Sequence, residues 1–251
     1  MKDDRTQPIQ EDLEAQARRS DQSWRQRLET GKLQAGNLQL NLAFLEQTGL
    51  LGGDQKILEV GCGVGTLVYE LTQKGFSVIG TDISREAIEF GRKKFPGLPL
   101  EAGPAQRLDF PEAAFDLVLS FDVFEHIPQI DQHLEEVRRV LRPGGSYLLQ
   151  TPNKLSNVIF ETLRSRSLGW RRYHPSLHTP RQLARRLERH GFAAQFVKMN
   201  TMNEYSLQKL RKVGLPTALC KRIDFRRLPL CLQTNLFVIA RKQDPNSRGG
   251  A

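Results

Sequence analysis

Lys56-Ile57-Leu58-Glu59-Val60-Gly61-Cys62-Gly63-Val64-Gly65-Thr66 decides the fold of this 251-residue chain. The run Ile57 to Val60 suits a buried strand, three glycines follow at alternate positions, and Leu67, Val68 and Leu71 then recur at helical spacing. Strand, tight turn and helix are the direct reading. Glycine serves the reversal because it reaches φ > 0 and lets the backbone approach where a side chain would block it. A loop of this kind at the carboxyl end of a parallel strand is where a doubly wound sheet receives a nucleotide-like ligand. A Gly-rich turn without a ligand is the plainer alternative.

Dinucleotide sites use G-x-G-x-x-G, whereas Gly61, Gly63 and Gly65 give G-x-G-x-G with Glu59 just upstream. A carboxylate there repels a pyrophosphate and suits a ligand carrying an ammonium and a sulfonium. Ser77 to Ser84 reads as a second strand ending in Asp82, an acid able to accept two hydrogen bonds from ribose hydroxyls. Alternatively Asp82 caps the helix that Ser84 opens and Ala87, Ile88 and Phe90 continue. Leu98 to Ala102 is a short third strand, and Pro99 restricts it to an edge. The fourth, Phe115 to Phe121, points at the same crevice, so the following Asp122-x-x-Glu125-His126 should line it.

A helix from about Asp131 to a Pro143-Gly144-Gly145 stop precedes a fifth strand, Ser146 to Gln150. Thr179-Pro180 starts another helix, with Leu183, Ala184 and Leu187 on its packed face and Arg181, Arg185 and Arg189 on the other. Phe192 to Val197 and Thr234 to Ala240 read as the last two strands. His133 and His190 lie on helices and are expected at the surface.

Ile57 to Thr66, Val78 to Ser84, Phe115 to Phe121 and Leu141-Arg142-Pro143-Gly144-Gly145 resemble, in order and spacing, the successive motifs of the class I S-adenosylmethionine-dependent methyltransferases. The resemblance runs over roughly Asp54 to Asn153. Within it, Asp122-Val123-Phe124-Glu125-His126 and Thr151-Pro152-Asn153 resemble the branch with the ubiquinone-biosynthesis O-methyltransferases, in the methyltransferase type 11 group. The fold implied is α/β and Rossmann-like: a doubly wound, seven-stranded, mostly parallel sheet with an antiparallel edge strand, in a single domain. The cofactor implied is S-adenosyl-L-methionine, held by Glu59, Gly61, Cys62, Gly63, Gly65, Asp82, Ile83, Ala105, Gln106, Ser120 and Phe121. Gly103-Pro104-Ala105-Gln106 departs from the usual Gly-Asp-Ala-Glu, whose acid holds the adenine amino group. The backbone of Ala105 and Gln106, or the Gln106 side chain, is expected to substitute.

Catalytic roles are expected for His126, Glu125 and His178. A neutral imidazole can remove the acceptor proton, and a divalent cation can lower an acceptor's pKa. Asp122, Glu125 and His126 resemble the E-x-x-E-H pattern that binds Mg2+ or another divalent cation, with a shorter acid at the first position. A histidine that merely orients its loop is the alternative. The pattern also resembles that of the small-RNA 3′-terminal 2′-O-methyltransferases, whose further histidine would be His178 or His174 here.

Outside the core, 1–53 is expected to form N-terminal helices over the cofactor mouth, 54–241 the catalytic domain, and 242–251 a disordered tail. Insertions fall at about 154–178, where Phe160, Trp170 and Tyr173 stand among Arg164, Arg166, Arg171 and Arg172, and at 200–233. The second mixes Leu207, Leu210, Val213, Leu215 and Leu219 with Lys209, Arg211, Lys212, Lys221, Arg222, Arg226 and Arg227. Basic residues around an apolar face suit a membrane surface or a greasy substrate, or simply a helix with solvated charges.

Lys and Arg number 37 against 28 Asp and Glu, a formal +9, which points to an anionic partner or a merely basic surface. The composition is 39% hydrophobic and 26% charged, that of a globular protein, and no apolar run approaches membrane-spanning length. Three scattered cysteines indicate neither a disulfide framework nor a zinc ribbon. With no apolar leader after Met1, the expected location is the cytoplasm, with peripheral contact at the inner membrane face through the basic insertions. The function expected is O-methylation of a small hydrophobic or lipid-linked acceptor. RNA 2′-O-methylation and a non-catalytic S-adenosylmethionine-binding protein are the competing readings.

Overall fold

A computed structural model describes residues 7–31, 37–165, 174–201, 207 and 224–244. Its strands are β1 (Lys56–Val60), β2 (Ser77–Asp82), β3 (Leu100–Ala102), β4 (Phe115–Phe121), β5 (Leu141–Pro152), β6 (Phe192–Val197) and β7 (Asn235–Lys242). They form one sheet in the order β3-β2-β1-β4-β5-β7-β6. Pairing is parallel from β3 through β5, and β7 runs antiparallel to both β5 and β6. The antiparallel strand expected at the edge therefore sits one strand in, with β6 outside it, and β3 with its preceding Pro99 takes the opposite edge. Strand order reverses direction between β1 and β4, which opens a crevice beyond their carboxyl ends.

The described helices are α1 (Gln7–Glu29), α2 (Leu38–Thr48), α3 (Thr66–Gln73), α4 (Arg85–Lys94), α5 (Ile130–Val140), α6 (Lys154–Ser165) and α7 (Pro180–Arg189). Side chains alternate across the strands, so consecutive residues feed two separate cores. Leu236, Val238 and Ala240 of β7 join Leu134 and Val137 of α5 and Leu183 and Leu187 of α7 on one face. Phe237 and Ile239 join Phe44 of α2, Val68 of α3 and Ile88 of α4 on the other. Helix α7 is set by a complete capping box, in which Thr179 and Gln182 satisfy each other's backbone N–H.

Two expectations change. β5 begins at Leu141, directly after α5, and carries Pro143-Gly144-Gly145 as an irregularity: Phe115 pairs with Leu141, but Leu117 pairs with Ser146. Those residues thus bulge within the strand, and the helix ends at Val140. His133 is fully buried, because its Nδ1–H donates to the Ala105 carbonyl at 2.8 Å and its Nε2 accepts from the Tyr147 hydroxyl at 3.0 Å. Burial pulls its pKa down to about 4, so it stays neutral.

Much of the second insertion, with Leu210, Val213, Leu215 and Leu219 and their neighbouring lysines and arginines, lies outside the described residues. So do Arg166, Trp170, Arg171, Arg172 and Tyr173 of the first and the tail from 245. Among the described residues no helix is long and apolar enough to cross a membrane.

Candidate active site

The glycine loop leaves β1 with Gly61, Gly63 and Gly65 all at positive φ. A Cβ on Gly61 would run into Val123, and one on Gly63 into the Trp24 ring of α1. Glycine is thus needed at these two positions both for conformation and for close approach. Asp82 at the tip of β2 reaches back: its carboxylate accepts from the Gly63 N–H and from the Ser84 N–H, each at 2.8 Å. A carboxylate has about four lone-pair directions, so two remain for ribose hydroxyls. The capping alternative falls to Ser84 itself, whose hydroxyl accepts from Ala87 N–H.

Helix α1 lies across this loop. Asp21 accepts from the Ser84 hydroxyl at 2.7 Å, and Arg25 holds Glu86 with two contacts of 2.6 and 2.8 Å. Between helix and sheet is a cavity of about 310 Å³, lined from above by Gln16, Arg19, Ser20, Ser23, Trp24 and Arg27. Its floor and wall include Gly61, Asp82, Ile83, Ala105, Phe121 and His126. The α1 residues were missed from sequence. Their signal was a polar stripe at helical spacing, Gln16, Arg19 or Ser20, Ser23 and Arg27, beside a lone tryptophan.

Several expected cofactor residues sit behind this wall. Ser120 is fully buried in β4, Cys62 packs against Gly80, and the Gly65 Cα faces Leu98 and Leu100. They shape the loop and do not line the cavity. Glu59 is buried too, and its Oε2 has no hydrogen-bond partner. Burial first, and the Asp82 charge second, push its carboxyl up to about 8. An acid with one buried oxygen unanswered beneath the glycine loop suits a cationic ligand group, since an unsatisfied buried polar atom costs stability until something answers it. Gln106 is buried with its amide N–H groups donating to Gln16 at 3.0 Å and Gln129 at 2.9 Å, while its Oε1 has no partner. That oxygen offers the acceptor for an amino group that Pro104 does not. The residues present therefore fit S-adenosylmethionine.

Beyond β4 the chain turns sharply at Asp122, a non-glycine residue at φ 56°. Gln150 stabilises the turn: its Oε1 accepts from Asp122 N–H and its Nε2 donates to Asp122 Oδ1, both at 3.0 Å. Glu125 is buried, and Thr151 Oγ1 donates to its Oε2 at 3.1 Å. Burial raises its pKa above the usual carboxylate range, against the pull of neighbouring His126. The half-exposed His126 imidazole lies with Nε2 3.9 Å from Glu125 Oε1 and faces the cavity.

The expected metal set does not assemble. Among the described residues no three His, Cys, Asp or Glu side chains converge as ligands. Asp122 is turned to Gln150, and Glu125 is buried under Thr151. Of the two histidines expected as candidates beside His126, His174 and not His178 is the neighbour. The His174 ring is 4.9 Å from that of His126, whereas His178 packs its edge on Phe124 at 5.7 Å. His178 is buried, and its Nδ1–H donates to the Ser176 carbonyl at 2.7 Å. Burial, with Arg186 and Lys154 nearby, lowers its pKa to about 4.

Residues 58–149 match a family model described as a methyltransferase domain. A probable S-adenosylmethionine-dependent methyltransferase of Mycolicibacterium smegmatis is 35% identical over 100 residues, 40% of this chain and 39% of that protein. A fatty-acid O-methyltransferase of the same organism is 36% identical over 124 residues, 48% of this chain and 44% of that one. A ubiquinone biosynthesis O-methyltransferase of Chelativorans sp. is 33% identical over 103 residues, 39% of this chain and 41% of that one. The matched stretches thus span about two fifths of these relatives.

Among solved structures, a putative methyltransferase of Haloferax volcanii in complex with the Trm112 activator superposes with a TM-score of 0.63 at 15% identity, over 92% of this chain and 98% of that one. A phosphoethanolamine N-methyltransferase of Haemonchus contortus, in complex with S-adenosyl-L-methionine, gives 0.59 at 21% identity, over 81% and 52%. Sequence match, strand order and glycine loop agree in likening residues 58–149 to a methyltransferase domain, on the Rossmann-like fold that these solved structures share.

Proposed function

We propose that this chain is an S-adenosylmethionine-dependent methyltransferase that methylates an oxygen of a small hydrophobic or lipid-linked acceptor. The observation that carries the reading is the cavity under α1, where Asp82 and Gly61 of the glycine loop meet the wall that holds His126, with Glu59 buried behind the loop. Relatives named for fatty-acid and ubiquinone-pathway O-methylation support the acceptor class.

When bound, S-adenosylmethionine supplies an electrophilic methyl on sulfonium with a neutral thioether leaving group. The chain's work is alignment and one proton. Asp82 fixes the ribose end, Glu59 answers the cationic end, and α1 excludes water from above. His126 takes the acceptor's proton as that oxygen attacks, and the Glu125 carboxyl below it favours the resulting imidazolium.

The test is a labelling assay with purified full chain, methyl-labelled cofactor, and cell extract separated into lipid, small-molecule, RNA and protein fractions. Label is expected in the lipid or small-molecule fraction. His126→Ala should keep cofactor affinity and lose about 100-fold in turnover. Asp82→Ala should weaken cofactor binding about 10- to 100-fold through its charge-assisted hydrogen bonds. Label in RNA alone, or turnover indifferent to His126→Ala, overturns the assignment.

A further inference from the structure

A second cavity, of about 910 Å³, opens beside the first, and Pro128 and Pro175 line both. The wall between them is knitted to the Glu125 loop. Ser176 N–H donates to the Glu125 carbonyl at 3.1 Å, Ser176 Oγ donates to the Ile127 carbonyl, and Lys154 N–H donates to the His178 carbonyl at 3.0 Å. Asn153 and His178 also pair as an isolated bridge, so this wall is anchored to the end of β5. Whatever occupies the second cavity lies next to the His126 end of the first.

The lining is strongly basic. Lys154 at the start of α6 and Arg185, Arg186 and Arg189 on α7 face it, with Glu188 the one carboxylate among the lining residues. Arg186 is already neutralised by Asp131, at 3.0 Å. Lys154 and Arg185 pair with no carboxylate among the described residues. His178 also lines the cavity, but its lowered pKa keeps it neutral, so it adds no charge of its own. With Arg186 cancelled by Asp131, Lys154, Arg185 and Arg189 stand against Glu188. The net of about two positive charges matches a phosphate monoester, which carries about two negative ones near neutral pH.

We propose that this cavity seats a phosphate group on the methyl acceptor, held by Lys154, Arg185 and Arg189, and so orients the acceptor's hydroxyl toward His126. The inference rests on the methyltransferase reading only in naming the occupant as the acceptor. The binding site itself follows from the cavity and its charges. Affinity at such a seat comes from charge-assisted hydrogen bonds and falls with added salt.

The experiment is calorimetric titration of the full chain, saturated with S-adenosylhomocysteine, with glycerol 3-phosphate, acetate and glycerol. Flotation with phosphatidylcholine vesicles, with and without phosphatidic acid, runs in parallel. Saturable binding of glycerol 3-phosphate is expected, weakened at least 10-fold by the double variant Lys154→Ala/Arg185→Ala, with S-adenosylhomocysteine affinity and melting temperature unchanged. Both substituted side chains are exposed, so the variant keeps its core. Binding confined to phosphatidic acid vesicles, and lost in the same variant, assigns the phosphate to a lipid headgroup and supports the proposal equally. Absence of binding by either probe, acetate binding as tight as glycerol 3-phosphate, or binding unchanged in the variant overturns it. Phosphate binding without cofactor binding would uphold the seat and sink the methyltransferase reading. Methyl transfer to neutral acceptors without phosphate binding would do the reverse.

Discussion

Glu59 shows how a single residue can be legible in kind and illegible in state. Its place before the glycine loop marks an acid meant for a cationic ligand, but only the fold reveals a buried Oε2 without a partner. The energetic consequence has a definite sign. A carboxyl raised from 4.5 to about 8 is protonated in the folded chain where the unfolded chain has already lost its proton. Its contribution to stability is therefore intact below about pH 4.5 and is lost as pH rises toward about 8. Glu59→Gln should flatten that loss, which is on the order of a few kcal/mol. Urea unfolding at pH 5 and pH 8 reads it: the variant is expected to gain on the native chain at pH 8 and to match it at pH 5. The same variant should bind S-adenosylmethionine about 10-fold more weakly, because an amide does not answer a cation as a carboxylate does. His133 carries the complementary lesson. Helical spacing alone does not distinguish a surface histidine from one caught between the Ala105 carbonyl and the Tyr147 hydroxyl.

Among the elements, β1 with its loop and α3 was readable because local chemistry forces it: an apolar run, alternate glycines, then helical periodicity. α1 was readable as a helix, and the family resemblance put it over the cofactor mouth, but which of its side chains face the crevice was not readable. What places it is a set of contacts across more than sixty residues, Asp21 to Ser84 and Arg25 to Glu86, together with Trp24 pressed on Gly63. The interdependence of loop and helix is testable. Gly63→Ala meets two penalties, a left-handed φ of about 1–2 kcal/mol and a clash with the Trp24 ring. In a Trp24→Ala background the clash is gone and the φ penalty stays. Thermal melts of the two single variants and the double should accordingly be non-additive by about 1 kcal/mol, the double being milder than the sum. Strict additivity would mean that α1 does not rest on the loop. The bulge in β5 belongs at this scale as well. Pro143-Gly144-Gly145 signals a break in regular structure, and sequence does not say whether the break ends a helix or sits inside a strand.

Across the whole molecule, the cofactor cavity joins α1 to the ends of β1, β2 and β4, so a ligand there ties together segments far apart in the chain. Saturating S-adenosylhomocysteine, at about 100 times its Kd, should add about 2.7 kcal/mol of stability. For a chain of this length that raises the melting temperature by about 5–10 °C. Asp82→Ala should lose most of the shift at the same ligand concentration, and differential scanning fluorimetry reads both. A full shift in Asp82→Ala would place the ligand elsewhere. The sequence by itself determined the order of strands and helices and the glycine loop with its acids, because these follow from periodicity, backbone freedom and charge within short stretches, while the cofactor class came from the resemblance of those motifs to a known family. Tertiary structure alone decided which α1 side chains line the crevice, that Ser120 and Cys62 lie behind the wall, that among the described residues Asp122, Glu125 and His126 are not gathered as a set of three ligands, and that Lys154 meets Arg185 across a second cavity. Each of those outcomes depends on which distant side chain arrives at a given point, and that is fixed by the packing of both cores and not by any local run of residues.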